Sequence, residues 1–284
     1  MPATATSAIA LPDDHPGVSD ARYRARRDII AAIGAAYESG QPIPDVPYTE
    51  QEDAVWRLVS AELATKHERL AVRAYLDGAA RLDLRRDRVP QLAEVSDDLH
   101  ALTGFRIEPV PGLVPARTFY GALADRRFLS SQYIRHHSVP FYTPEPDVIH
   151  EVIGHANGLA NAELADLYEA AGGASRRSTT DAAHEFFSRV FWFTMEFGVA
   201  WEGDELRTYG AGILSSFGEL DVFRAAEIRP FDIVAMGTQQ YDITQYQPVL
   251  FAGSTFAEVV DHLGEFFVTF DDEAYQRLTG RPAA

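Results

Sequence analysis

No cysteine occurs anywhere in the 284 residues, which removes disulfides and thiolate metal sites at one stroke. A bound metal must then rely on histidine and carboxylate ligands, and a reducing, cytoplasmic setting fits such a chain. Positive charge is also scarce. Lys and Arg total 25 against 42 Asp and Glu, a net charge of −17, which argues against nucleic-acid or anionic-membrane partners because both demand a positive face. No stretch approaches the run of about 18 apolar residues that a transmembrane helix needs. The N-terminus, MPATATSAIALPDDHPG, has no basic leader and too short an apolar run for a signal peptide. Internal repeats and low-complexity linkers are missing too, so nothing divides the chain.

What is present supplies a core: 46% of the residues are hydrophobic. The expected organisation is a mobile arm over residues 1–18, one domain over 19–272 and a short tail over 273–284. Ser19 and Asp20 predict a helix cap for residues 21–38, with Gly40 as the stop. Thr49 and Glu52 form a capping-box pattern ahead of Val55, Leu58, Val59 and Leu63. Further helices are expected over 70–84, 91–102 and, opened by Thr255 and Glu258, up to about Phe267. Residues 105–110, 231–234 and 241–249 read as short β segments. Fold class is therefore mainly α with a few short β-strands (α+β).

Chemistry concentrates in residues 132–155, QYIRHHSVPFYTPEPDVIHEVIGH. His150 and His155 stand five positions apart beside Glu151, and imidazoles of this kind suit iron, zinc, copper or nickel. A zinc-protease helix reads H-E-x-x-H; this one reads H-E-x-x-G-H, one residue longer. At about 100° per residue, five steps on an α-helix leave the two rings about 140° apart. The spacing therefore predicts that His150 ends a short helix and that Gly154 lets His155 swing back just beyond it.

A carboxylate is needed to complete such a set. Glu196 is embedded in FWFTMEFGVAW, residues 191–201, where an unpaired charge is costly unless it binds a metal or a cation. Either a metal or an arginine such as Arg207 would answer that need. His15, His67, His100, His184 and His262 have no partner motif and read as surface or capping residues, while His136 and His137 read as structural. The glycine-rich stretch YGAGILSSFGEL at 209–220 lets backbone approach a ligand, and it is no phosphate loop because G-K-[ST] is missing.

Together, residues 132–155, FWFTMEFG, YGAGILSSFGEL and VPQLAEVSDDLHALTGFRIEPVPGL at 89–113 resemble the pterin-dependent aromatic amino acid hydroxylases, most nearly their bacterial phenylalanine hydroxylase branch. The resemblance spans about residues 43–270. It implies a single hydroxylase-type catalytic domain with Fe(II) on His150, His155 and Glu196, a tetrahydrobiopterin or related tetrahydropterin, and O2 as co-substrate. By the same likeness Gly112, Leu113 and Val114 line the pterin edge, Phe119 stacks on its ring, and Glu151 faces both pterin and iron. Arg135 would take the amino acid's carboxylate, oriented by Asp147, with Thr143, Gly212 and Ser215 near the amino-acid end. Pro146, Trp192 and Phe197 would form the ring pocket. Core packing and an internal Arg–Asp pair account for several of the same residues without any ligand.

Family members often carry a serine where this chain has Ala116 and a tyrosine where it has Phe191, and Ala252 falls where relatives vary with substrate. The activity implied is ring hydroxylation of a free aromatic amino acid, expected to be L-phenylalanine to L-tyrosine. The same chemistry on tryptophan, on tyrosine or at the meta carbon of phenylalanine remains open, because pocket differences this small discriminate by only about 1–3 kcal/mol. A zinc hydrolase using Glu151 as base and a non-catalytic amino-acid-binding protein are the other classes. Without heptads after residue 270 a monomer is expected, served by pterin-recycling enzymes.

Overall fold

A computed structural model describes residues 15–243 and 245–282, so most of the expected N-terminal arm lies outside the described residues. The Asp20 carboxylate accepts from the backbone N–H groups of Arg22 and Tyr23 and starts the helix Ala21–Ala35, which stops short of the expected residue 38. Thr49 and Glu52 make the reciprocal capping box on Glu50–Leu70. The next helix, Arg73–Leu82, ends on Asp83 at φ +44°, and Leu92–Thr103 ends on Gly104 at φ +80°. Both stops use the left-handed region, which closes a helix by turning the chain away.

Two small sheets flank the helices. Strands β1 (Arg106–Pro109) and β2 (Arg127–Ser130) pair in parallel, joined through the helix Ala116–Leu123. The second sheet holds β3 (Val199–Glu202), β4 (Glu205–Thr208), β5 (Glu227–Pro230) and β6 (Val249–Gly253) in the order β4-β3-β6-β5. Two β expectations fail here. Residues 233–238 are helical (Ile233–Thr238), because Asp232 caps Ala235 N–H, and 241–243 and 245–248 are irregular ahead of β6.

The helix Ala162–Arg177 packs between Ala116–Leu123 and Phe256–Thr269. It buries Leu164, Leu167, Tyr168, Ala171 and Ala174 against rings such as Phe187 and Phe267. Each large side chain fully removed from water here contributes about 1.5–3 kcal/mol. Within the stretch expected as a tail, a last helix, Asp272–Thr279, is capped by Asp271, and its Tyr275 packs edge-on against Phe186 at 5.8 Å. None of the described helices is long and apolar enough to cross a membrane.

Candidate active site

Two π-helical segments build the centre: His150–Ala156 and Trp192–Glu196. In a π-helix the hydrogen bonds run from residue i to i+5, so residues five apart lie on one face. Asn157 N–H bonds the Val152 carbonyl and Phe197 N–H bonds the Trp192 carbonyl at 2.9 Å, both at that spacing. This corrects the expectation that the helix ends before His155. The backbone widens by one residue instead, and the helix continues through Leu159. Gly154 serves close packing: a Cβ there would lie 2.8 Å from the Ala211 carbonyl oxygen.

The widened turn brings His150 Nε2 and His155 Nε2 to 3.0 Å from each other. From the second segment, Glu196 places its carboxylate oxygens 3.3 Å from His155 Nε2 and 3.7 Å from His150 Nε2. Arg207 instead pairs with Glu202 and Glu205, so the salt-bridge reading of Glu196 is set aside. The far ring nitrogens are anchored. His150 Nδ1 bonds Ser215 Oγ at 2.8 Å, and His155 Nδ1 bonds the buried Tyr168 hydroxyl at 2.8 Å. The Ser215 hydroxyl donates to the Gly212 carbonyl at 3.3 Å, which leaves its oxygen to accept from His150. Both Nε2 atoms are thereby turned toward Glu196, and the tautomer in which each Nδ1 donates leaves them as ligand nitrogens, the arrangement metal-bound histidines adopt.

Burial would lower His155, but the Glu196 carboxylate beside it overrides that and raises the imidazole above its ordinary value. Burial, with the neighbouring His155, pushes His150 down to about 4, so it stays neutral as a ligand must. Burial alone would raise Glu196, yet His155 and His150 outweigh it and hold the carboxyl below its ordinary value. Two nitrogens about 2.1 Å from one ion stand about 3.0 Å apart at a right angle and about 3.4 Å apart at the tetrahedral angle. The 3.0 Å between the two ring nitrogens lies within the span that one divalent ion could bridge.

Around this centre the other predicted residues divide into groups. Arg135 and Asp147 form a fully buried fork, with Nε to Oδ2 at 2.9 Å and Nη2 to Oδ1 at 2.8 Å; Asp147 Oδ1 also caps His150 N–H at 3.2 Å. Thr143 bonds the Glu145 carbonyl, and Glu145 is held by Arg27 and Tyr133, so the Pro144-Glu145-Pro146 turn is pinned from outside. Pro146 adds its carbonyl, which accepts from the hydroxyls of Tyr133 and Ser131. The Glu151 carboxylate accepts from Ser131 N–H at 3.3 Å and Ser131 Oγ at 3.2 Å, and burial pushes it up to about 7.

Trp192 and Phe197 stand 4.5 Å apart, and Gly212 backs the Phe197 ring so closely that a Cβ would lie 2.7 Å from it. Phe119 meets Phe128 edge-on at 5.4 Å, and Phe128 in turn lies 4.7 Å from the His155 ring. Gly112, Leu113 and Val114 occupy the half-buried turn between β1 and the helix bearing Phe119. Phe191 packs 4.8 Å from Tyr120 and 5.9 Å from Tyr168. Ala252 is buried in β6 opposite Val199 and Pro230.

Sequence reasoning overlooked Tyr168, Ser131 and Gln247, whose roles depend on contacts 13, 20 and 55 residues away. It also misread His67, which is buried between the Leu214 carbonyl and Tyr75 and pushed down to about 4 by that burial. A cavity of about 240 Å³ is lined by His67, Tyr75, Trp56, Ile153 and Asn157 and by none of the predicted site residues. The chemistry lies at the convergent ligand atoms rather than in that hollow.

Two histidines and one carboxylate on a mainly helical fold define a site fit for a divalent metal with coordination positions left open. The family model of biopterin-dependent aromatic amino acid hydroxylases matches residues 4–277. Phenylalanine 3-hydroxylase of Streptomyces coeruleorubidus is 44% identical over 266 residues, covering 94% of this chain and 95% of the relative. Tyrosine 3-monooxygenase of Mus musculus is 42% identical over 259 residues; 89% of this chain aligns with only 52% of that protein. A crystal structure of Chromobacterium violaceum phenylalanine hydroxylase with bound oxidized Fe(III) superposes with a TM-score of 0.77 at 28% identity, covering 90% of this chain and 94% of the other. The chain belongs to the biopterin-dependent aromatic amino acid hydroxylases.

Proposed function

We propose that this protein is a ferrous, tetrahydropterin-dependent monooxygenase that hydroxylates the ring of free L-phenylalanine. The observation that carries the proposal is the convergence of His150 Nε2, His155 Nε2 and a Glu196 oxygen within 4.8 Å of one another. These three residues would hold the iron, and the iron-bound relative from Chromobacterium violaceum supports that choice of metal. When bound, iron and tetrahydropterin together reduce dioxygen, one oxygen atom entering the substrate ring and the other leaving on the pterin.

The chain's own residues would bind and orient. Asp147 occupies the Nε side of the Arg135 guanidinium, which leaves the Nη1 end of the fork to receive the substrate carboxylate. Trp192 and Phe197 would form the wall against which the substrate ring lies, joined by Pro146 as the family likeness implies. Fixing the carboxylate at one end and the ring at the other selects the carbon that reacts. On the pterin side Phe119 offers a ring face, and Glu151, oriented by Ser131, offers a carboxylate for a pterin N–H.

For the ring carbon, the expectation of L-tyrosine competes with a second reading. The likeness to a phenylalanine 3-hydroxylase, at 44% identity over nearly the full length of both chains, favours meta attack and 3-hydroxyphenylalanine. Iron-loaded protein supplied with tetrahydropterin, dioxygen and, separately, phenylalanine, tyrosine and tryptophan tests both. Chromatography against authentic 3- and 4-hydroxyphenylalanine identifies the product. Turnover of tyrosine or tryptophan without phenylalanine, or of none of the three, refutes the proposal.

A further inference from the structure

The ring wall is deeper than two residues. On Trp192 lies Tyr241, stacked at 4.3 Å with 13° between the planes, so that Trp192 contacts both Phe197 and Tyr241. One buried amide ties this stack together. Gln247, only 5% exposed, accepts the Trp192 indole N–H on Oε1 at 3.2 Å. Its Nε2 donates to the carbonyls of Asp242 and Gln245, each at 3.0 Å. Its backbone N–H donates to the buried Glu219 carboxylate at 2.9 Å. The side chain's acceptor and both donor hydrogens are therefore in use, as a buried amide requires.

Trp192 also packs against the core, and its indole N–H is oriented by Gln247. Trp192 stands four residues before Glu196 on the same π-helical segment, so rotation of the indole moves the wall relative to the carboxylate at the centre. Tyr241 is 36% exposed, so one side of the stack faces solvent and depends on the backbone that Gln247 holds.

We propose that Gln247 is a specificity-determining positioning residue: by joining the Trp192 indole to the backbone beside Tyr241, it sets the ring tilt and thereby which carbon of the substrate ring is hydroxylated. The inference rests on the phenylalanine reading above. Glutamate at this position keeps the acceptor for the indole and loses the donors for the two carbonyls, whereas methionine loses both.

The test is the ratio of 3- to 4-hydroxyphenylalanine made by iron-loaded wild type, Q247E and Q247M, with kcat and KM measured alongside. In Q247M the ratio should change by about tenfold, the effect of 1.4 kcal/mol between competing transition states, with a smaller change in Q247E. A residue that merely supports the fold would lower total turnover and leave the ratio alone. Should Q247M fail to fold, Q247E still decides, because its shape and its indole acceptor are preserved. An unchanged ratio in every variant that folds, with normal wild-type turnover, overturns the role of Gln247 alone. A wild-type protein that hydroxylates no phenylalanine overturns the underlying reading and this inference together.

Discussion

Replacing Tyr168 by phenylalanine removes one oxygen from the structure and leaves the ring in place. That oxygen lies 2.8 Å from His155 Nδ1 in a buried setting. The imidazole then loses the acceptor that fixes its tautomer and keeps Nε2 turned toward Glu196. Loss of such an outer partner weakens metal binding by about 10- to 100-fold, equivalent to about 1.4–2.8 kcal/mol. The loss can be read as stability. With free Fe(II) a thousandfold above the wild-type Kd, binding adds about 4.1 kcal/mol, and an affinity thirtyfold weaker leaves about 2.1 kcal/mol. Over 284 residues the unfolding entropy is about 0.6 kcal/mol/K, so the rise in Tm on adding iron should be about 3 °C smaller in the variant. Calorimetry with and without Fe(II), beside a chelator-competition titration, measures both quantities. Comparing the two increments cancels any cost the substitution carries without metal. Wild-type affinity and a wild-type increment in Tyr168→Phe would refute the reasoning.

Other perturbations probe different parts of the account. Gly154→Ala drives a methyl group against the Ala211 carbonyl at 2.8 Å, so it should cost about 1–3 kcal/mol in urea unfolding and weaken iron binding by displacing Ser215 from His150. Arg135→Lys replaces the two-pronged bond to Asp147 with a point charge, and KM for phenylalanine should rise at least about tenfold in steady-state kinetics. Burial pushes Glu219 up to about 7 from an ordinary 4.5, against the lowering by Gln247 N–H, so its contribution to stability is complete below pH 4.5 and is lost as pH rises through about 7. Glu219→Gln should therefore match wild type below that window and exceed it by about 2–3 kcal/mol at pH 8, as measured by urea unfolding; an equal difference at pH 4 and pH 8 would contradict this.

How much of the molecule the sequence disclosed depended on whether the signal was local. Caps such as Asp20 and the Thr49/Glu52 box act within four residues, and the helices they open were legible. His150, His155 and Glu196 were also legible as candidates, because a charge among aromatic residues and an imidazole pair each stand out from their neighbours. The route by which they meet was not. An α-helical period places residues five apart on different faces, and nothing local announces that the backbone will widen to i→i+5 bonds at both segments. Gly154 was noticed for its conformational freedom, whereas its use is the close approach of Ala211, a residue 57 positions away. Residues 231–249 misled because Phe231, Ile233, Val234 and Tyr241 have strand-like side chains, yet the Asp232 cap and the Gln247 bonds impose a helix and an irregular crossing.

Convergence of three side chains on one ferrous ion is the claim on which the rest depends. Crystals of the iron-loaded protein, measured at the iron absorption edge, test it most directly. A single anomalous peak is expected within bonding distance of His150 Nε2, His155 Nε2 and a Glu196 oxygen, lost in Glu196→Ala. A peak located elsewhere, or one that persists at full height in that variant, would contradict it.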